Sequence, residues 1–308
     1  MWRHIISRVI QAVICLIGVS FIVFMLARLS GDPALLLAPP DASFEDIQAL
    51  RVQWGFDKPL YIQYWKFISN AVQGDLGQSI KWGKPTLDLW LSKFPNTLLL
   101  GGVAFLFSVI VGVTIGVVGA IKAGTWIDTF GKIFAFMGVS LPVFWIALLF
   151  MILFSVKLGW LPTAGMGTWK HLIMPAFTLG WFFTASQVRI SRSAMLDVLD
   201  SEYVKLARIK GVPGYRVYAK HALRNALIPI VTLGGLNLAW LLNGTVIIET
   251  IFNWKGIGWL AVEAIFTRDY AMVQTCALMG SAVFIFINLF VDILYAYIDP
   301  RLRHEQSS

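Results

Sequence analysis

Ser201 to Gly211 reads SEYVKLARIKG, and with its flanks from Arg189 to Pro229 it makes a polar island in the otherwise oily second half of a 308-residue chain. Tyr203, Leu206 and Ala207 recur at i, i+3 and i+4, the spacing that puts them on one helical face, while Lys205 and Arg208 point elsewhere. The ends carry matching signals. Asp200 or Ser201 is placed to accept from the first free backbone N–H groups, and Glu202 sits in the first turn at the positive end of the dipole. Arg208 and Lys210 occupy the last turn, Gly211 can adopt the left-handed conformation that stops a helix, and Pro213-Gly214 turns the chain. On these signals alone the segment fits equally a short amphipathic helix with a partner and a solvated loop between two membrane spans.

Outward from the island the chain is written for lipid. It is 57% hydrophobic with a formal net charge of +8, against about 45–50% apolar residues in an ordinary soluble domain. A basic head through Arg8 precedes an uncharged run from Val9 to Ala27, longer than a signal-peptide core and without a clean cleavage site, so it is expected to be retained as a first span. Five more apolar runs follow, at about Thr97 to Ile121, Ile133 to Val156, Leu172 to Val188, Leu227 to Ile248 and Met272 to Ile298, each near or above the ~20 residues that cross a bilayer. Leu172 to Val188, the fourth span when the first is counted, is the shortest and carries Pro175, Thr184, Ser186 and Gln187. The organisation expected is a first span in residues 1–29, an extracytoplasmic region in 30–96, a transmembrane core in 97–298 that includes the loop 189–226, and a tail in 299–308.

Residues 30–96 are the only candidate for a folded region outside the membrane. Ser43 and Asp46 have capping-box spacing, and Pro59 can open a second helix in which Leu60, Tyr64, Phe67, Ile68 and Ala71 share a face. Gly77 followed by Gly83-Lys84 imitates a phosphate-binding loop. Five residues intervene instead of four, and Pro85 stands where a Mg²⁺-binding hydroxyl is needed, so no nucleotide site is assigned to this chain. Cys15 and Cys276 lie in apolar runs, and His4, His171, His221 and His304 are scattered, so neither a disulfide framework nor a metal site is expected. The basic balance has no DNA-binding motif beside it and is better explained by cytosolic loops rich in Lys and Arg. Arg3, Arg8, Lys122, Lys132, Arg189, Arg192 and the island's own cations cluster on one side, which puts the island and both termini in the cytosol.

Within the spans, Gly112 and Gly116 with Ala120 allow a neighbouring helix to approach closely, first of all one from the same chain. Pro142 can kink the third span. Asp292 is the outstanding ionisable residue in a span, and its place toward the cytosolic end, within reach of Arg189 or Arg301, gives it a structural reading. Asn237, Asn243 and Asn288 fit either a polar translocation path or hydrogen bonds between helices.

The wording EYVKLARIKG followed by HALRNALIP resembles the cytoplasmic EAA loop of ABC-importer permeases, in its dipeptide, oligopeptide and nickel branch. Lys205 stands where the general motif has Glu, Leu206 where it has Ala, and Pro229 comes later than in sugar permeases; these departures are usual in the peptide branch. Gly138 to Trp145, Glu249 to Leu260, Arg268 to Tyr270 and Asn288 to Arg303 carry further family wording, so the resemblance covers nearly the whole chain. It implies an all-α membrane protein with six transmembrane helices of the type I importer fold, a periplasmic insertion after the first, and a cytoplasmic coupling helix seated in a separate ATPase. Glu202, Tyr203, Lys205, Leu206, Ala207, Arg208 and Gly211 would form that coupling site, with Tyr203, Leu206 and Ala207 as the buried knobs and Gly211 as hinge or stop. The implied partners are a homologous second permease, two ATP-binding subunits that hold the ATP and Mg²⁺, an extracytoplasmic solute-binding protein and membrane lipid, without nucleic acid. The implied place is the bacterial inner membrane.

Peptides are the first expectation for cargo, with nickel chelates or other small solutes as the alternative within the family. An ion-coupled secondary transporter would show internal repeats and ionisable residues at mid-membrane, and only Asp292 answers to that. A membrane-anchored enzyme would need a nucleophile and base, and none is grouped in this sequence.

Overall fold

The computed structural model describes residues 2–29, 34–35, 38 and 42–298, with the side chains at 2–5, 54, 239–240, 242–244 and 292–298 outside the description. The expectations for Gly31 to Pro33, for the side chains of Asn243 and Asp292, and for the ending from Asp299 onward lie outside the described residues.

Apart from one isolated bridge between Gln78 and Pro85, the regular structure among the described residues is helical. In chain order the helices are α1 (Trp2–Leu29), α2 (Phe44–Trp54), α3 (Leu60–Val72), α4 (Thr86–Ile121), α5 (Trp126–Ser140), α6 (Val143–Phe150), α7 (Lys170–Leu199), α8 (Glu202–Ile209), α9 (Arg224–Ile251), α10 (Ile257–Phe266) and α11 (Tyr270–Ile298). A π-helical stretch, Met151–Lys157, extends α6, and a second, Val217–Leu223, leads into α9. The chain clusters into two compact units, one from Asn96–Lys255 and Ile287 onward, the other from Trp2–Pro95 and Gly256–Phe286.

Among the described residues, Ile6–Leu29, Thr86–Ile121 and Tyr270–Val291 are long and apolar enough to cross a bilayer. A fourth stretch qualifies only as a pair, Trp126–Ser140 with Val143–Lys157, bent by 105°. The stretch from Ile133 to Val156 thus breaks at Leu141 and Pro142, the place where a kink was expected, and the bend is sharper than a kink. Leu141 is extended at φ −99°, ψ 130° because the ring of Pro142 clashes with a helical predecessor, and Pro142 then serves as the residue that opens α6. The remaining long helices, α7 with 30 residues and α9 with 28, have the length of a span but fall outside this apolar set.

The first unit is organised around α7. A Cβ at Gly112 would meet Gln187 at 2.6 Å, one at Gly116 would meet the Val188 carbonyl at 2.6 Å, and one at Gly138 would meet Ala185 at 2.6 Å. Missing side chains on α4 and α5 thus let both backbones touch α7, which is the packing within one chain expected of Gly112 and Gly116. Leu100, Ala104, Met174, Leu179, Phe183, Leu241 and Ile248 form the core at one end. Ala120, Met195, Leu199, Val204, Val217, Ala222, Ala226 and Ile230 form it at the other. The polar residues that weakened the sequence signal of α7 are inside this core. Thr178 and Thr184 donate back to Met174 and Gly180 carbonyls at 2.8 Å, and Gln187 donates across to the Ile230 carbonyl of α9 at 3.2 Å.

In the second unit the local helix signals of residues 43–72 hold. Ser43 and Asp46 exchange the two bonds of a capping box, and Gly55 closes α2 at φ +75°. Their exchange also holds the Asp46 carboxyl below its usual pKa, through the hydrogen bonds from the Ser43 side chain and backbone. Pro59 precedes α3 as expected. Tyr64, Phe67, Ile68 and Ala71 are half-buried, whereas Leu60 is exposed. Tyr64 shares a hydrogen bond with Ser20 at 2.9 Å and sets its ring 5.4 Å from Phe21 and Phe24, which fastens α3 along α1. Elsewhere in this unit Trp90 packs with Leu260, Ala264 and Met272. The buried Asp269 accepts from the Ser79 hydroxyl and the Met272 N–H, capping α11.

Candidate functional site

The island begins where α7 ends. Asp200 is the last residue of that turn, and Ser201, extended at φ −69°, ψ 148°, opens α8. Its hydroxyl donates back to the Val198 carbonyl instead of capping α8, so the expected side-chain cap is absent and the Ser201 carbonyl takes the first bonds, from Val204 and Lys205. At the far end Gly211 is left-handed at φ +76°, and the Val212 N–H reaches back to the Ala207 carbonyl at 3.2 Å. That six-to-one bond is the Schellman closure, and it makes Gly211 the stop the sequence assigned.

The faces of α8 differ from the spacing argument in one respect. Val204 is fully buried and Ala207 is 9% exposed, both inside this chain's own core with Leu199, Val217 and Ala222. Leu206 is 51% exposed and Ile209 81%. Tyr203 lies at the border, with its ring exposed and its hydroxyl held by Asn225 at 2.7 Å and the His221 carbonyl at 3.3 Å. Tyr203, Leu206 and Ala207 therefore do not form one face: Ala207 is cushion, Leu206 is surface, and Val204 and Ile209 complete the two sides. In an eight-residue helix successive positions differ by ~100°, so a residue at the edge of a stripe is assigned to a face by the neighbours it meets and not by spacing alone.

Charges rim the outer face. Glu202 pairs with Lys205 at 2.9 Å, and this carboxylate raises the pKa of the Lys205 ammonium by hydrogen bonding and charge. The pair is exposed, so water and salt screen it and it adds little to stability. Arg208 and Lys210 add further exposed cations. An exposed apolar ridge of Leu206 and Ile209 inside a charged rim is the anatomy of a protein contact.

A second anchor of the island was not foreseen. Asp128 on α5 is buried and receives Arg192 of α7 in a two-pronged bond at 2.6 and 3.0 Å, with Lys132 at 2.9 Å and the Gly124 N–H at 3.1 Å. Planar guanidinium against carboxylate gives the strongest and most directional ion pair available to side chains. The sequence signal was the i, i+4 spacing of Asp128 and Lys132; nothing in it joined Asp128 to a residue 64 positions away. Asn237 is buried on α9 and donates toward the Ser186 hydroxyl of α7 at 3.4 Å. At the other end of α9 the fully buried Glu249 accepts from Thr97 at 2.6 Å, another contact the sequence did not reveal.

The profile of a family described as "Binding-protein-dependent transport system inner membrane component" matches residues 112–304, and that of its N-terminal partner matches residues 1–101. The chain belongs to this permease family. Its similarity extends over full-length relatives: the "Glutathione transport system permease protein GsiC" of Escherichia coli K12, of Escherichia coli O6:H1 and of Shigella dysenteriae serotype 1 is in each case 42% identical over 306 residues, covering 99% of this chain and all of the relative. The resemblance to the peptide and nickel branch of ABC-importer permeases is thereby established, and with it the role of a transport component rather than a catalyst. Two solved structures share the fold of the permease core. An amino acid ABC transporter matches at a TM-score of 0.56 with 14% identity, over 68% of this chain and 94% of that one. The inward-facing MetNI methionine ABC transporter matches at 0.56 with 16% identity, over 68% and 96%.

Proposed function

We propose that this permease imports a peptide-like solute and that α8 is where ATP hydrolysis in a partner subunit acts on it. The observation that carries the reading is the division of α8 into a buried Val204 and Ala207 face and an exposed Leu206 and Ile209 ridge, in a full-length relative of glutathione permeases. A helix seated firmly on its own bundle while offering an apolar ridge can pass a push from outside into α7 and α9. Tyr203 and Asn225 tie it to the arm that enters α9, and Arg192 with Asp128 ties the end of α7 to α5.

The arrangement proposed has six spans with both termini in the cytosol of a bacterium. A homologous permease stands beside it, two ATPases carry the ATP and Mg²⁺ beneath it, and a solute-binding protein delivers cargo from outside. Closure of the ATPases would rock α7 and α9 and alternate access between the two sides.

The double variant Leu206→Glu, Ile209→Glu tests this in vesicles carrying the assembled importer. ATP-dependent peptide uptake should fall at least about 100-fold, because two carboxylates would have to be desolvated at the contact. Membrane insertion should be unchanged, since both residues face outward. Uptake and ATPase co-purification at wild-type levels would overturn the assignment. So would uptake that continues without ATP on an ion gradient.

A further inference from the structure

The second unit has a half-open cleft of about 480 Å³ between the end of α1, one face of α3 with the turn before it, the segment from Asp75 to Ile80 and the first turn of α11. That is the size of a small-molecule site. Its wall is part apolar, with Phe56, Phe67 and Leu76, and part polar with groups of both signs.

Gln63 fixes the polar side. Its amide nitrogen donates to the Phe56 carbonyl at 3.0 Å and the Lys58 carbonyl at 2.7 Å, which settles the orientation of the amide. Its oxygen is then left buried without a donor. Buried acceptors of this kind are ordinarily completed by a water or a ligand. Asp75 uses one carboxylate oxygen to accept from the Gly77 N–H at 2.9 Å, and the other has no partner among the described residues. On the same wall Lys66 is an exposed ammonium without an ion-pair partner among the described residues, and the Arg28 guanidinium lies over the rings of Phe24 and Phe56 at 5.2 and 4.7 Å.

A simple anion would satisfy Lys66 but confront Asp75 and the Gln63 oxygen. A simple cation would do the reverse. We propose that the cleft binds a zwitterion, a primary ammonium joined through a few atoms to a phosphate or carboxylate, with Gln63 and Asp75 taking the ammonium and Lys66 the anion. An ammonium brings three donors and no acceptor, which is what the Gln63 and Asp75 oxygens lack. The adjoining hydrocarbon would lie on Phe56, Phe67 and Leu76. Two sources carry this chemistry. One is the headgroup of an ethanolamine phospholipid, because the apolar run of α1 ends at Leu29, next to the lining residues Ala27 and Arg28. The other is the free terminus of an amino acid or small peptide.

The test is hydrogen exchange across 63–80 and 270–274 in the assembled importer in nanodiscs. Slower exchange is expected either when phosphatidylethanolamine replaces part of a phosphatidylcholine bilayer or when dialanine is added to pure phosphatidylcholine discs; the first result assigns the lipid, the second the soluble source. Lys66→Ala should weaken the responding probe about tenfold, one lost charge contact, and Lys66→Arg should restore it. Lys66 is exposed and has no ion-pair partner among the described residues, so folding is not at risk in either variant. The proposal is overturned if neither probe slows exchange, if Lys66→Ala responds like wild type, or if N-acetyl-dialanine or phosphatidylglycerol, which lack the ammonium, protect equally.

Discussion

α3 and α8 are both short helices outside the long apolar runs, and both keep one side against their own unit and show apolar side chains on the other. They differ in what surrounds the exposed side. α3 has Lys66 as the one charge in thirteen residues and exposes Tyr61, Trp65 and Val72, the composition of a surface that rests at a lipid interface. α8 has three charged residues in eight, and the ridge of Leu206 and Ile209 stands among them. Their seats differ as well: α3 is held by aromatic rings and the Tyr64 hydroxyl, α8 by Val204 and Ala207 set against the end of α7 and the π-helical stretch before α9. The difference teaches that an apolar exposed face is interpreted by its rim. An uncharged rim suits lipid, and a charged one suits a protein.

The sharpest break in this comparison is Ala207→Glu. Since Ala207 faces inward, a charge there would lie unpaired in the chain's own core, and a loss of about 3–5 kcal/mol is expected. The hairpin should become protease-sensitive and the melting temperature should drop, in contrast to the Leu206 and Ile209 double variant, which should lose uptake with its folding intact. Equal stability of the two variants would show that the faces of α8 are misassigned. On α3, Tyr64→Ala removes a half-buried ring and its bond to Ser20; about 2 kcal/mol is expected, read as a lower melting temperature and faster exchange in 60–72. The smallest effect belongs to Gly211→Ala. A Cβ there meets no neighbour within 4 Å, so only the left-handed backbone is penalised, by about 1 kcal/mol.

Much of this architecture is legible in the sequence, and what is not legible shares one cause. The capping box at Ser43, the helix start after Pro59 and the stop at Gly211 are local, fixed by one or two residues, and each forms. α7 looked like the weakest span because hydropathy measures suitability for lipid. Its Thr178, Thr184 and Gln187 have protein around them, and buried hydrogen bonds within the bundle stand in for apolar character. The ion pair of Asp128 with Arg192 and the contact of Thr97 with Glu249 join residues 64 and 152 apart, which no local pattern encodes. The buried face of α8 differs from its spacing by one position for the same reason, because the choice between Val204 and Tyr203 is made by α7 and the π-helical stretch before α9.

The missing side chains of Gly112 and Gly116 have a mechanical meaning. With Gly180, which lies against the Ala104 carbonyl, they let α7 touch α4 from 180 to 191, a length of about 17 Å at 1.5 Å per residue. Helices joined along such a seam shift together, because a tilt that opened one end would drive the other into backbone already in contact. A Cβ at any of the three glycines would pry the two helices apart along that length.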